Sequence, residues 1–110
     1  MPVAINTATI SGRLVQDPTR RDLRGVTAAQ MRIASSRSFT KRDGNASDET
    51  VYIDIDCYGR NAENCLSSLH KGDQVVVCGR LAMDIWTGQD GRQYSRLYIK
   101  ADTVIFPERA

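Results

Sequence analysis

The segment from Thr50 to Arg60, TVYIDIDCYGR, alternates apolar and polar residues more clearly than any other part of the chain. Successive side chains of a β-strand point to opposite faces, so a period of two predicts a strand with one buried and one solvated face. The apolar members of this alternation are Val51, Ile53, Ile55 and Cys57. The members of the opposite face are Tyr52, Asp54, Asp56 and Tyr58. We therefore predict a strand with an apolar core face and a face of tyrosines and aspartates.

Apolar patterning predicts strands in four further segments: Thr7–Leu14, Ala28–Ser36, Gln74–Ile85 and Tyr94–Phe106. The first half of Gln74–Ile85 is apolar on both faces, so this strand is expected to be central. Gly12 is expected to mark a bend or a bulge, and Gly79 a sharp bend. The segment VQDPTRRDLRGV (15–26) is predicted to be a turn region, because Asp17-Pro18 and Gly25 interrupt it.

One short helix is predicted within RNAENCLSSLHKGD (60–73). Asn61 is expected to cap its first turn, and Gly72 to stop it. Its apolar stripe consists of Ala62, Cys65, Leu66 and Leu69.

The order of strand, strand, strand, helix, strand, strand matches the five-stranded oligonucleotide/oligosaccharide-binding (OB) barrel, an all-β fold. At 110 residues the chain is expected to form one domain, residues 1–110. Polar and glycine-containing segments predict a flexible loop at about 37–49 and a flexible hairpin at about 86–94. In this barrel the ligand groove follows the second and third strands.

Composition excludes several classes of protein. No apolar run approaches the roughly 18 residues that would cross a membrane, and the N-terminus does not resemble a signal peptide, so a cytoplasmic protein is expected. We find no catalytic triad, phosphate loop or metal cluster, and expect neither an enzyme nor a small-molecule substrate or cofactor. Cys57, Cys65 and Cys78 form no CxxC pair, which favours buried, reduced thiols over an interchain disulfide or a redox role. His70 is not expected to bind a metal.

The charge is unevenly distributed. The chain has a formal net charge of +2, but Arg13–Arg42 contains eight basic residues against Asp17 and Asp22, a net of +6. A basic half suggests a polyanionic partner, although a solvated basic face is the more common explanation.

Aromatic and basic residues occur together in the polar segments, as single-stranded nucleic-acid binding requires, because rings stack on bases and cations contact phosphates. Trp86, the one tryptophan, lies beside a polar, glycine-containing turn. It is either half exposed for base stacking or paired across the hairpin with Tyr94. The local pattern favours neither interpretation.

The stretches GRLVQDP, AAQMRIASSRSF and TVYIDIDCYGRNAENCLSSLHKGDQVVVCGRLAMDIWTGQDGRQY resemble the bacterial single-stranded DNA-binding proteins in order and spacing, over about residues 5–106. The resemblance implies an OB fold that assembles as a homotetramer, with a dimer as the alternative. It also implies base stacking on Phe39, Tyr52, Tyr58 and Trp86. Two tryptophan positions of the family are Phe39 and Tyr52 in this sequence, which reduces the stacking area.

The predicted phosphate contacts are Arg13, Arg32, Arg37, Lys41, Arg60, Arg92 and Arg96. Asp54 and Asp56 depart from what a DNA-binding face requires, and would weaken binding or move the path of the strand if they share the groove with Tyr52 and Tyr58.

The family's linker and acidic tip, which recruit other enzymes, are not seen before the sequence ends at TVIFPERA. We therefore expect a truncated DNA-binding domain or a tail-less paralogue, without tail-mediated enzyme recruitment. The function expected is sequence-tolerant binding of single-stranded DNA in replication, recombination or repair. The alternative is an assembly subunit with weak DNA affinity.

Overall fold

The computed structural model describes residues 3–106. The elements, in chain order, are β1 (Ala8–Leu14), β2 (Thr19–Leu23), β3 (Val26–Thr40), β4 (Ala46–Tyr58), α1 (Gly59–Ser68), β5 (Gln74–Thr87) and β6 (Gln93–Ile105). The strands lie in the order β1-β5-β6-β4-β3-β2, and a further pairing of β1 with β3 closes a five-stranded barrel. The prediction of an OB barrel with one helix between its third and fourth strands is therefore confirmed.

The core lies inside the barrel and under the helix. The alternation of β4 is confirmed, since Ile55 and Cys57 are buried whereas Tyr52 and Tyr58 are exposed. The buried core cluster is Leu14, Ala29, Met31, Ile33, Ile55, Cys57, Ala62, Cys65, Leu69, Val75, Val77, Ile99 and Ala101. Strand β5 pairs with β1 on one edge and β6 on the other, as expected of a central strand; in its first half Val75 and Val77 are buried and Val76 and Cys78 are half-buried.

Two glycines allow strands to cross closely. At Gly79 the pairing of β5 with β6 shifts register, and an added Cβ would collide with the carbonyl oxygen of Lys100, as the predicted bend requires. Gly12 is not a bulge in the β1–β5 pair, because that ladder runs in register through it. An added Cβ on Gly12 would instead lie 2.5 Å from the carbonyl oxygen of Ala34, so this glycine lets β1 cross over β3.

Helix α1 confirms the predicted apolar stripe and corrects the predicted caps. Ala62, Cys65 and Leu69 are buried, and Leu66 packs against the core. Asn61 does not cap the helix: the N-cap residue is Tyr58, without a side-chain hydrogen bond, and the amide of Asn61 donates to the carbonyl oxygen of Asp102 at 2.8 Å. The helix ends at Ser68, before Gly72.

Two segments predicted to lack regular structure are strands. Residues 19–23 form β2, which pairs with residues 26–30 of β3. Most of the predicted loop at 37–49 is a hairpin, because β3 continues to Thr40 and β4 begins at Ala46. Polar side chains form hydrogen bonds across this ribbon; the hydroxyl of Ser38, for example, donates to the carboxylate of Asp48 at 2.7 Å. The strand pattern was missed because these strands are solvated on both faces and show no apolar alternation.

The hairpin predicted at 86–94 is present, with strand pairing up to Thr87 and from Gln93. The flexibility of both hairpins stays a prediction. The expectation drawn from the end of the sequence falls on residues 107–110, outside the described residues. No helix within residues 3–106 is long and apolar enough to cross a membrane.

Candidate nucleic-acid interface

One surface of the sheet, here called the outer face, carries the polar residues of β4 and their neighbours in the sheet. Arg32 of β3 pairs with Asp54 of β4, which pairs in turn with Tyr98 of β6. On the same pair of strands, Ala34 is opposite Tyr52 and Ala28 is opposite Tyr58. Residues directly opposite each other point to the same side of a sheet. The outer face is therefore the side away from Ile55 and Cys57, as the sequence predicted for β4.

Two of the predicted stacking residues lie together on the outer face. The side chain of Tyr52 is 57% exposed and that of Tyr58 is 39% exposed, so both rings are accessible to a flat ligand. The guanidinium of Arg32 lies 5.7 Å from the centre of the Tyr52 ring, close enough for a cation–π contact.

Phe39 lies on the other side of the β3–β4 ribbon. The ladder runs without a register shift from Ala34, opposite Tyr52, to Thr40, opposite Ala46. Phe39 is separated from Ala34 by an odd number of positions, so its side chain alternates to the side opposite Tyr52. It is exposed, but the structure does not bring it onto the outer face with the two tyrosines.

Trp86 is both paired with Tyr94 across the hairpin and half exposed, so the two interpretations drawn from the sequence are not exclusive. It pairs across the β5–β6 hairpin with Tyr94, and the two rings are stacked with centroids 5.9 Å apart and planes inclined by 21°. The side chain is nevertheless 49% exposed. Strand pairing places it on the same side of the hairpin as Arg96 and Tyr98. Part of the indole is therefore open to solvent on the outer-face side of the hairpin.

A charge network covers the middle of the outer face. The guanidinium of Arg96 donates to both oxygens of Asp56, at 2.8 and 3.2 Å, and to Asp54 at 3.0 Å. Arg32 donates to the other oxygen of Asp54 at 2.9 Å. The hydrogen bonds that Arg96 donates to Asp56, and then to Asp54, raise the pKa of Arg96 against the opposing effect of burial. The side chain of Asp56 is nearly buried, and the bidentate pair supplies its counter-charge.

The network qualifies the expectation that these aspartates would repel phosphates. Asp54 and Asp56 do share a face with Tyr52 and Tyr58, but each carboxylate is paired with an arginine. Arg32 and Arg96, two of the predicted phosphate contacts, consequently hold carboxylate partners already.

The other predicted phosphate contacts are spread over several elements: Arg37 lies on the Phe39 side of the β3–β4 ribbon, Arg60 in α1, and Lys41 and Arg92 in the two hairpin turns. Arg13 pairs with Ala34 beside Tyr52, and its guanidinium donates to the carbonyl oxygen of Gly72 at 3.2 Å. For the remaining four, no side-chain hydrogen bond or ion pair occurs within residues 3–106, and all are exposed: Arg37, Lys41, Arg60 and Arg92.

Three basic residues of the outer face were not selected from the sequence. Arg21 of β2 is opposite Ala28, which is opposite Tyr58, so Arg21 lies in the same row as that ring. Lys100 is opposite Asp56, and Arg80 is opposite Lys100. Alternation with Arg96 and Tyr98 could have identified Lys100. Nothing in the sequence identified Arg21, because β2 itself was not predicted.

One buried tyrosine, Tyr98, lies among the charged groups of the outer face. Tyr98 is almost fully buried, its phenol donates to Asp84 at 3.1 Å, and the Arg96 guanidinium lies 4.5 Å from its ring centre. Burial, followed by the hydrogen bond to Asp84, raises the pKa of Tyr98. Burial, followed by the charges of Asp56 and Asp84, raises the pKa of Tyr58.

The three cysteines lie in β4, α1 and β5 and are buried or half-buried. All three are free thiols; Cys57 and Cys65 are buried with sulfur atoms 3.7 Å apart, and Cys78 is half-buried. The contact with Cys65, together with burial, raises the pKa of Cys57. In the described part of the chain, no three His, Cys, Asp or Glu side chains are grouped so that they could hold a metal ion.

The sequence profile of the Single-strand binding protein family matches residues 5–107. The chain belongs to this family. The resemblance noted in the sequence is thereby confirmed.

Curated relatives of the chain carry the name single-stranded DNA-binding protein. The protein of Wolinella succinogenes is 34% identical over 90% of this chain and 62% of its own length. That of Helicobacter pylori is 36% identical over 94% of this chain and 59% of its own length. The chain thus spans about three-fifths of these relatives. "Single-stranded DNA-binding protein 2" of Chlorobaculum tepidum is 30% identical over 93% of this chain and 70% of its own length.

Two solved structures show the same fold. A structure described as "Plasmodium falciparum SSB complex with ssDNA" superposes with a TM-score of 0.87 at 21% identity, covering 98% of this chain and 99% of that one. The small single-stranded DNA-binding protein from Streptomyces coelicolor superposes with a TM-score of 0.74 at 24% identity, covering 92% of this chain and 93% of that one.

Proposed function

We propose that this chain binds single-stranded DNA with little sequence preference, by stacking bases on exposed rings and pairing phosphates with cationic side chains. The observation that carries the proposal is the outer face, on which Tyr52, Tyr58 and Trp86 are exposed beside arginine and lysine side chains. Every base offers a π-face, so stacking tolerates any sequence, and each stacked base contributes about 1–3 kcal/mol. Membership of the single-strand binding family and the names of the relatives support the same function.

Phe39 is part of this proposal in a different role from the two tyrosines. A strand that stacks on Tyr52 would have to pass around the edge of the β3–β4 ribbon to reach Phe39, which lies on its other side. Arg37 shares that side with Phe39, since the two residues are separated by two positions in β3. This pair would extend the binding path beyond the outer face.

The phosphate contacts fall into two groups. We propose that Arg13, Arg37, Lys41, Arg60 and Arg92 meet phosphates directly. Arg32 and Arg96 are proposed to contact phosphates only by sharing or exchanging their bonds to Asp54 and Asp56. Arg21, Arg80 and Lys100 are added because strand pairing places them on the outer face.

Titration of the emission of Trp86 with oligo-dT and with a mixed-sequence oligonucleotide at two salt concentrations tests the proposal. We expect quenching by both, with similar affinities that fall as salt rises, because phosphate neutralisation releases counterions. No binding at low salt, or strong dependence on sequence, would contradict it.

A second candidate function is supported by the charge network. Because Arg32 and Arg96 are paired with carboxylates, the middle of the outer face offers little net positive charge to a phosphate. An assembly subunit with weak DNA affinity would have such a face. In the same titration it would bind only weakly even at low salt, and a native mass measurement would show it assembled.

We further propose that the chain forms a homotetramer, with a dimer as the alternative. The side of the β5–β6 hairpin opposite Trp86 carries exposed apolar side chains, and we call these the hairpin patch: Leu81, Met83, Ile85 and Leu97. Val3 and Ile5, which precede β1, are also exposed. A second copy of the chain would remove this apolar surface from water.

The wider role follows from these proposals and the family. A sequence-tolerant binder would protect single strands during replication, recombination or repair without catalysing a reaction, in the cytoplasm. The residues that hold the DNA would then act by binding alone.

A further inference from the structure

The turn that joins β5 to β6 holds an aromatic ring in place by three separate contacts. Tyr94, the second residue of β6, stacks on Trp86 across the hairpin. Its phenol donates a hydrogen bond to the carboxylate of Asp90. Its ring also lies directly over Gly88, where an added Cβ would be 2.5 Å from the ring carbon Cε2.

Hydrogen bonds within the turn hold Asp90 in position to accept from that phenol. The other oxygen of Asp90 accepts from the backbone N–H of Arg92 at 3.0 Å. The backbone closes through Gly88 N–H to Arg92 C=O at 2.8 Å and Gly91 N–H to Gly88 C=O at 3.0 Å. Gly91 has a φ of 79°, a conformation that favours glycine. The hydrogen bond that the Tyr94 phenol donates, and then the one from Arg92 N–H, lower the pKa of Asp90. The bond between the phenol and Asp90 also raises the pKa of Tyr94.

We propose that Asp90 and Tyr94 are positioning residues, which hold the indole of Trp86 in the orientation that stacks on a DNA base. This inference rests on the proposed function. Asp90 holds the Tyr94 phenol by a hydrogen bond, and the missing Cβ of Gly88 leaves space for the Tyr94 ring against the turn. The Tyr94 ring in turn stacks on the indole of Trp86. Trp86 is nevertheless 49% exposed, which leaves part of the indole accessible to a base.

The physical advantage is a smaller ordering cost on binding. An exposed side chain at a hairpin end samples several rotamers, and a base can stack only on the one that faces it. Fixing the indole before DNA arrives removes part of that cost, as in other preorganised sites. The arrangement also explains the glycine at position 88. Its φ is not in the left-handed region, so the backbone alone does not require glycine there. A Cβ at this position would instead collide with the Tyr94 ring.

The test uses single variants of the whole chain and the fluorescence of its one tryptophan. Tyr94→Phe keeps the ring and removes the phenol, Asp90→Ala removes the acceptor, and Asp90→Asn retains an oxygen acceptor. Gly88→Ala displaces the Tyr94 ring from the other side. The matched control is Asp43→Ala, because Asp43 also accepts from the backbone N–H two residues later, at 2.9 Å, in a hairpin turn without a bonded aromatic ring.

We expect Tyr94→Phe, Asp90→Ala and Gly88→Ala to lower the emission anisotropy of Trp86 in the free protein. Each should also weaken oligo-dT binding by between about twofold and tenfold, the range that corresponds to ordering one side chain. Asp90→Asn should recover most of the loss. The Asp90→Ala/Tyr94→Phe double variant should be no weaker than the worse single variant, because both act on one contact. Asp43→Ala should not weaken binding.

Unchanged anisotropy and affinity in all three variants, with a wild-type chain that binds, would overturn the inference and leave the proposed function standing. Additive losses in the double variant would show that Tyr94 and Asp90 contact DNA separately, and would overturn it also. If the wild-type chain does not bind oligo-dT, the proposed function fails. The anisotropy of the free variants would then still decide whether Asp90 and Tyr94 hold Trp86.

Discussion

Arg96 illustrates how one side chain can serve two purposes on a binding surface. It neutralises Asp56 and Asp54 while its guanidinium packs on the ring of Tyr98. A bidentate carboxylate pair fixes the guanidinium plane, which a lysine could not do. If Arg96 contacts DNA as proposed, the phosphates of a bound strand have to compete with these carboxylates.

Asp54→Asn should strengthen DNA binding. The substitution releases Arg32 from its carboxylate, while Arg96 keeps its two bonds to Asp56. A released arginine that meets a phosphate should make the slope of log K against log salt steeper by about 0.7. Titrations at several salt concentrations measure this slope, with Asp43→Asn as a control for the loss of one negative charge. A slope equal to that of the control would show that Arg32 does not reach DNA.

Trp86→Ala should affect binding more than folding. We expect a loss of about 1–3 kcal/mol in DNA binding, the contribution of one stacked base. The loss in free energy of unfolding should stay well below the roughly 3–5 kcal/mol of a core aromatic residue, since the side chain is half exposed. Oligo-dT titration followed by tyrosine emission or anisotropy of labelled DNA, together with urea unfolding, measures both. The reverse pattern would make Trp86 only a hairpin clamp.

At the scale of elements, close strand crossings shape the barrel that supports the outer face. Strand β1 meets β3 at Arg13–Ala34 and Leu14–Ile33, which closes the barrel. The crossing brings Arg13 beside the row that contains Tyr52. The position of a proposed phosphate contact thus depends on backbone packing at a glycine nearby.

Gly12→Ala should destabilise the fold. The new methyl group would lie 2.5 Å from the carbonyl oxygen of Ala34, so the crossing of β1 over β3 would have to open. Overpacking of this kind costs about 1–3 kcal/mol. Urea unfolding should show a lower midpoint than for Ser11→Ala, a change on the exposed side of the same strand. Equal midpoints for the two variants would show that the crossing is loose.

The tyrosines of β4 and β6 should make stability fall at alkaline pH. Their folded-state pKa values are raised, for Tyr98 by burial and its bond to Asp84, and for Tyr58 by burial and nearby carboxylates. The unfolded phenol ionises near pH 10, so this stability is fully present below about pH 10 and is lost as pH rises through the raised folded values. Urea unfolding between pH 8 and 11.5 measures the fall. Tyr98→Phe should flatten it, and an unchanged profile would argue against the role of this phenol.

For the whole molecule, the two sides of the β5–β6 hairpin have different chemistry. One side presents Trp86, Tyr94 and the charged groups of the outer face, and the other presents the hairpin patch. Strand alternation separates the two sides, so one hairpin can contact DNA on one side and a second subunit on the other. DNA binding and assembly can therefore be perturbed independently.

Ile85→Glu should disrupt assembly. Ile85 is 61% exposed in the single chain and is the most exposed side chain of the hairpin patch, where a buried carboxylate would have no partner. Light scattering at micromolar concentration should show a homotetramer for the wild-type chain and smaller species for the variant. Arg80→Gln, on the outer side of the same strand, lowers the net charge by the same amount and serves as the control. A monomeric wild-type chain would contradict the proposal.

Burial patterns allowed much of this fold to be predicted from the sequence. The alternation of β4, the stripe of α1 and the apolar first half of β5 each reflect contact with the core, and all three are present in the structure. A strand or helix with one buried face must repeat apolar residues at its own period, so the signal is local. Tyr52, Tyr58 and the two aspartates were assigned to one face on that basis alone.

Tertiary structure decided the features in which no buried face alternates with an exposed one. Strand β2 and the ends of β3 and β4 are held by backbone hydrogen bonds, which depend little on side-chain type, so their polar sequences resembled loops. The partners of Arg96 lie 40 and 42 residues away in sequence and meet it only because β6 runs parallel to β4 in one register. The antiparallel register of β3 with β4 places Phe39 on the side of the ribbon away from Tyr52, and the pairing of β2 with β3 brings Arg21 into line with Tyr58. Sequence determined which residues face the core, and long-range pairing determined which of the remaining residues meet one another.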